Sequence, residues 1–130
     1  MALPSQHRLR ASRDFSRVYR LGLRASSRYL SLRAFRPSAA DVSRQLTVLE
    51  SPPETALGIS ISRKVSKRAV VRNRVKRQIR AALRALLPQI QPGWQVVIGV
   101  RPAATECEYA DFLRELDYLL TKLGVIDGNS

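Results

Sequence analysis

The sequence predicts an α+β fold: a single domain in which a four-stranded mixed sheet packs with three helices in the order α-β-β-β-α-β-α. Three observations lead there. The chain has 130 residues, 45% of them hydrophobic, which suits one compact core. Two long segments, Val70 to Pro88 and Thr105 to Gly124, carry apolar residues at helical spacing. Between and before them lie short runs that alternate or are continuously apolar over strand length, with no internal repeat.

Taken in order, "SRDFSRVYRLG" reads as a short helix, with Ser12 as N-cap, Asp14 in the first turn and Gly22 as C-cap. In "RYLSLRAFR", Leu30, Leu32 and Ala34 point one way, and Tyr29, Ser31, Arg33 and Phe35 the other, as a strand requires. "PSAADVSR" is a polar connection, "QLTVLE" a second strand, and "SPPET" a turn whose prolines cannot continue a ladder. "ALGISIS" is a third strand, in which Gly58 suggests a bulge or a close backbone approach. The basic helix follows and stops at Pro88. "WQVVIGV" is apolar throughout, so this strand is expected at the centre of the sheet, covered on parts of both faces. In the last helix Thr105 and Glu108 match a capping box, and Gly124 fits the C′ position. Its stripe of Tyr109, Phe112, Leu113, Leu116, Leu119, Leu120 and Leu123 reads as core. Residues 1–130 form the domain, with 1–8 and 125–130 expected as mobile ends.

Charge then narrows the function. Lys and Arg number 23 against 10 Asp and Glu, a formal charge of +13, which calls for a polyanionic partner. Between Glu54 and Glu106 there are eleven cations and no acid, whereas six acids and two cations run from Glu106 to the end. A second basic region, Arg8 to Arg36, holds nine Arg and one acid, Asp14. A lone Cys107 excludes an intramolecular disulfide, and one His7 beside it makes no metal-ligand set. No apolar run approaches the ~20 residues that span a bilayer, and the first residues lack a signal-peptide core, so the cytoplasm is the expected location. No carboxylate cluster falls in the basic region, so no catalytic residue is assigned.

On the basic helix, Val71, Val75, Ile79, Ala82, Leu83 and Leu86 share an arc of about 120°, the width needed to rest on a sheet. That need leaves little for a membrane-surface role. Arg72, Asn73, Lys76, Arg77, Arg80 and Arg84 occupy the flank and outer face, and Arg74 extends the patch on the other side. Arg63, Lys64, Lys67 and Arg68 precede it or open its first turn. A solvated face mixes signs, because like charges at i, i+4 destabilise a helix by a few tenths of a kcal/mol. Here Arg68, Arg72, Lys76, Arg80 and Arg84 form such a series, which a phosphate backbone would relieve. The preference for Arg suits RNA, whose phosphates the guanidinium forks and whose bases it stacks on. Phe15 and Tyr19 lie on one face of the first helix among Arg13, Arg17 and Arg20, and Tyr29, Arg33 and Phe35 share a strand face. Aromatics interleaved with cations suit single-stranded nucleic acid; packing of the helix on the sheet is the plainer reading of Phe15 and Tyr19.

The segment "SISRKVSKRAVVRNRVKRQIR" closely resembles the signature of the bacterial ribonuclease P protein component, a strand and Ser/Lys/Arg-rich turn leading into an R-N-R-x-K-R-x-x-R helix. "RLRASRDFSRVYRLG", "ALGIS" and "GWQVVIGVRP" resemble further elements of that family, in the same order over essentially the whole chain. The chain departs in carrying Val71 before Arg72, in lacking an acid after Arg80, and in placing Arg33 where some relatives have an aromatic.

The resemblance implies a non-catalytic protein subunit of the endoribonuclease ribonuclease P. A large catalytic RNA with bound Mg2+ cleaves precursor tRNA at its 5′ end, and no cofactor is bound by a protein motif. It implies that Arg72, Asn73, Arg74, Lys76, Arg77 and Arg80 meet the catalytic RNA, and the charge pattern adds Arg63, Lys64, Lys67, Arg68 and Arg84 to the expected RNA-binding set. Phe15, Arg17, Tyr19, Tyr29, Arg33 and Phe35 would line a cleft for the single-stranded 5′ leader. No membrane and no small-molecule substrate are expected. The resemblance also implies a left-handed β-α-β crossover, against the usual right-handed rule. A small basic ribosomal or DNA-binding architectural protein is the alternative.

Overall fold

The computed structural model describes residues 12–36 and 55–126, apart from the side chains of residues 12–15 and 17. Its elements are helix α1 (Ser12–Leu21), strands β1 (Leu23–Ser26), β2 (Leu30–Phe35) and β3 (Ala56–Ser60), helix α2 (Ala69–Leu86), strand β4 (Gln95–Val100) and helix α3 (Tyr109–Lys122). Short 3-10 turns, Leu87–Gln89 and Pro102–Glu106, lead out of α2 and into α3. The sheet order is β1-β2-β4-β3, antiparallel except for the parallel pair of β3 and β4. The α+β class and the four-stranded mixed sheet with three helices are as the sequence predicts.

One expected strand is not described, and one strand was not expected. Residues 45–50, read as a strand from "QLTVLE", lie outside the described residues. Leu23–Ser26 is a strand that periodicity does not reveal, because only Ala25 of its four side chains is buried. It exists because β2 offers a partner across a tight turn, where the Ser27 hydroxyl accepts from the Tyr29 and Leu30 N–H groups and the Ser27 N–H donates to the Leu30 carbonyl.

The alternation of β2 decides the layers. Leu30, Leu32 and Ala34 face a main core shared with Leu57, Val96 and Ile98 of the sheet, Val75, Ile79, Leu83 and Leu86 of α2, and Phe112, Leu116, Leu119 and Leu120 of α3. On the opposite face Val18 of α1 packs with Val97, Phe35 and Ala56. β4 therefore sits between β2 and β3 and is covered on both sides, as its unbroken apolar run requires. The ladder runs unbroken through Gly58, opposite Val97, so that glycine marks no bulge.

Helix ends follow local chemistry, with two corrections. α3 is capped one turn later than Thr105 and Glu108 suggest: Glu108 is the N-cap and Asp111 completes the box by accepting from the Glu108 N–H at 2.9 Å. Thr105 belongs to the preceding 3-10 turn, where its hydroxyl donates to the Pro102 carbonyl. Tyr109, at the first position of the helix, is consequently 40% exposed rather than core. At the other end Gly124 has φ 82, its N–H donates to Thr121, and that of Val125 to Leu120, the paired bonds of a Schellman motif. Val125 and Ile126 are buried, and Ile126 bridges to Ile90, so the expected mobile tail starting at 125 does not include these two residues.

Gly22 is not a left-handed cap, since it has no positive φ. A Cβ there would stand 2.5 Å from the Val18 carbonyl oxygen and 2.9 Å from that of Ala34, both main-chain atoms. The glycine is required because the end of α1 presses onto β2. Gly22→Ala is expected to cost about 1–3 kcal/mol by overpacking. Urea unfolding would measure this, and a loss below about 0.5 kcal/mol would show that α1 can lift without penalty.

Candidate nucleic-acid interface

The loop before α2 is built to hold cations outward. Val65 is buried and pins it, while the Ser62 and Ser66 hydroxyls accept from the Lys64 and Arg68 N–H groups, both at 3.2 Å. Arg63, Lys64, Lys67 and Arg68 are exposed as a result. Arg63, Lys64, Lys67 and Arg72 line an open hollow of about 600 Å³. The N-cap of α2 is Arg68, with no side-chain cap and no acid in the first turn. Unpaired helical N–H groups and the positive end of the helix dipole face the same region, which therefore attracts anions.

Along α2, Val75, Ile79, Ala82, Leu83 and Leu86 are buried as predicted; Val71 is half-buried. Asn73, Lys76, Arg77, Arg80 and Arg84 form the outward ridge, with Asn73, Arg77 and Arg84 exposed and Lys76 and Arg80 half-buried. Lys76, Arg77 and Arg80 have no acidic partner among the described residues. The two arginines that flank Asn73 turn back to the protein. Arg72 donates to the Ser66 carbonyl at 2.7 Å, closing the loop before the helix. Arg74 donates to the Thr105 carbonyl at 2.9 Å, fastening α2 to the turn that enters α3. A guanidinium has five N–H donors, so each clamp leaves donors for an external acceptor.

The face of the sheet that carries α1 has a different character. Ser26, Ser31, Gly99 and Ser60 stand opposite one another across all four strands, and the next row contains Arg24, Arg33, Val97 and Gly58. α1 closes over Val97 of that second row and over Phe35 and Ala56 of the row beyond it. The surface is thus a groove with a floor of small side chains and α1 as one wall. Tyr19 is 42% exposed on that wall, with the Arg33 guanidinium 5.0 Å from its ring centre. Tyr19, Arg33 and Phe35 are brought together as predicted, although Phe35 is half-buried and packs beneath α1. Tyr29 is not with them: it precedes β2 and packs against the main core, with Arg28 over its ring at 5.8 Å. The alternation that assigned it to the groove does not extend past the first residue of the strand. Phe15 and Arg17 lie on α1, but their side chains are outside the described residues, as is His7.

The acids of the described C-terminal segment lie on α3 and at its entry. The Asp111 carboxyl is held below its usual range by the Glu108 N–H, with Arg114 adding an ion pair at 2.7 Å. Burial raises the Cys107 thiol, and Asp111, Glu115 and Glu106 raise it further, so it is a poor nucleophile. Among the described residues no group of three His, Cys, Asp or Glu is placed to hold a metal ion, and no helix is long and apolar enough to cross a membrane.

A cationic ridge over one face of the sheet and a groove of aromatic and arginine side chains on the other are the features of a small RNA-binding protein. The ribonuclease P family profile matches residues 3–124. Proteins named ribonuclease P protein component are 47% identical in Trichormus variabilis, with both chains covered in full, and 50% identical in a Cyanothece species, with 97% of this chain and 98% of the relative covered. The chain belongs to the ribonuclease P family, as its protein component. Solved ribonuclease P proteins share the fold: that of Staphylococcus aureus at TM-score 0.75 and 22% identity, covering 93% of this chain and 98% of the other, and that of Thermotoga maritima at 0.68 and 23%, with the same coverage.

Proposed function

We propose that the protein is the non-catalytic subunit that holds the catalytic RNA on α2 and the single-stranded 5′ leader of precursor tRNA in the groove beside α1. The hydrolysis then belongs to the RNA, with Mg2+ held by RNA oxygens and no metal bound by the protein. The cytoplasm, where precursor tRNA is made, is the expected place of work. The observation that carries this reading is the separation of two cationic surfaces by one sheet. Arg63, Lys64, Lys67, Arg68, Arg72, Asn73, Arg74, Lys76, Arg77, Arg80 and Arg84 supply the first; Tyr19, Arg33 and Phe35 supply the second, to which we assign Phe15 and Arg17 from the sequence alone. Cations on α2 neutralise RNA phosphates and so reduce the metal needed to fold the RNA and bind substrate. An aromatic platform holds a flexible strand without demanding a sequence, which lets the subunit distinguish precursor from product.

The test compares affinities for precursor and mature tRNA with the catalytic RNA present. The protein is expected to favour the precursor, and Tyr19→Ala to reduce that preference about tenfold, the worth of roughly one stacked base. Equal improvement of both substrates by the unmodified protein would refute the groove as the leader site and favour a general architectural role.

A further inference from the structure

The groove contains a cation that sequence reasoning did not single out. Arg24 on β1 is directly opposite Arg33 on β2, so the two side chains leave the sheet on the same face. Residues paired in this way have Cβ atoms about 4.5–5.5 Å apart, and like charges there are destabilising. The two arginines are nevertheless differently engaged. Arg33 is half-buried, donates to the Tyr19 carbonyl at 2.9 Å and lies over the Tyr19 ring. That carbonyl belongs to the last turn of α1, where helical partners have run out. Arg33 thus satisfies the end of α1 and fixes the plane of Tyr19 in one stroke. Arg24 is exposed and has neither a hydrogen-bond nor an ion-pair partner among the described residues.

We propose that, in the leader groove, Arg24 is the phosphate contact and Arg33 is a positioning residue that holds Tyr19 as the stacking platform. This rests on the groove reading above and assigns its parts. A base on Tyr19 directs its phosphate across Arg33 toward β1, where Arg24 is the free guanidinium. The path onward is open, because the adjoining row of Ser26, Ser31, Gly99 and Ser60 has no side chain larger than serine. The phosphate would also relieve the repulsion that the two arginines, face to face, carry in the free protein, since the anion enters between like charges.

The experiment uses the holoenzyme reconstituted with the catalytic RNA, and measures affinity for precursor tRNA over a range of KCl, affinity for mature tRNA, and melting of the free protein. Arg24→Gln is expected to lower precursor affinity about five- to tenfold and to reduce the steepness of log K against log salt by about 0.7, one single-strand phosphate contact. Mature tRNA affinity and assembly with the RNA should be unchanged, and the free protein no less stable, since a like-charge pair is removed. Arg33→Gln should lower precursor preference with the salt dependence unchanged, as loss of a platform rather than of a phosphate contact. If Arg24→Gln leaves affinity and slope intact while Tyr19→Ala still reduces precursor preference, the assignment of Arg24 is wrong and the groove stands. If Arg33→Gln, and not Arg24→Gln, flattens the salt dependence, the roles are reversed. Should neither Tyr19→Ala nor Arg24→Gln alter precursor preference, the groove reading itself fails.

Discussion

Replacing Lys76, Arg77 and Arg80 together by Gln is expected to weaken binding of the ribonuclease P RNA about a hundredfold and, in the same molecule, to stabilise the free protein. The two effects have one origin. These three side chains lie on the outward ridge of α2 with no acidic partner among the described residues, and they repel one another and Arg72 at i, i+3 and i, i+4 spacing. Removing the charges relieves a few tenths of a kcal/mol per like pair in the free helix. It also removes up to three phosphate contacts, each lowering the steepness of log K against log salt by about 0.7 to 0.9. Titration of the RNA at several KCl concentrations, beside thermal melts of the protein alone, measures both. Arg72 and Arg74 should behave differently. Each already holds a backbone carbonyl, so their replacement by Ala should lower the melting temperature as well as the affinity. An unchanged salt dependence in the triple variant would place the ridge away from RNA.

Phe112→Ala is expected to cost about 3–5 kcal/mol, the usual loss for deleting a buried aromatic ring. Phe112 is fully buried where α3 meets α2 and the sheet, among the largest side chains in the core. A domain of this size has only about 5–15 kcal/mol of stability in all, so the variant should approach the threshold of folding. The urea midpoint should fall with little change of slope, because the surface exposed on unfolding is nearly the same. Saturating RNA should recover part of the loss, since a ligand that binds only the native state shifts the equilibrium by mass action. A loss below about 1 kcal/mol would mean that α2 and α3 close over the vacancy.

The core was legible in the sequence where burial alone decides. The arc of Val75, Ile79, Ala82, Leu83 and Leu86 and the stripe of Phe112, Leu116, Leu119, Leu120 and Leu123 are buried as their spacing requires, with Leu113 half-buried beside them, and the apolar run before Val100 is the central strand. What could not be read depends on partners that local periodicity does not specify. β1 has a single buried side chain and is a strand only because β2 lies alongside. Arg24 escaped notice for that reason, since its place opposite Arg33 follows from the register and from nothing in its neighbourhood. Gly22 was recognised as a helix end, but its necessity comes from the carbonyls of Val18 in its own helix and of Ala34, twelve residues away, which leave no room for a Cβ. The inward turn of Arg72 and Arg74 was equally hidden, because a cation on a helix reads the same whether its guanidinium meets a carbonyl or water.

The strand order has a consequence in time. β4 bridges β2 and β3, yet it is the last strand to be synthesised, after the whole of α2. Until residue 100 has emerged, the nascent chain can form the β1–β2 hairpin and the beginnings of a cationic helix, but no sheet on which that helix can rest. Pairing of β4 joins segments far apart in the chain, a step that is slow compared with local helix formation. Folding of the cationic ridge is thereby postponed until translation is nearly complete, and the apolar side of α2 gains its cover together with the final strand and helix.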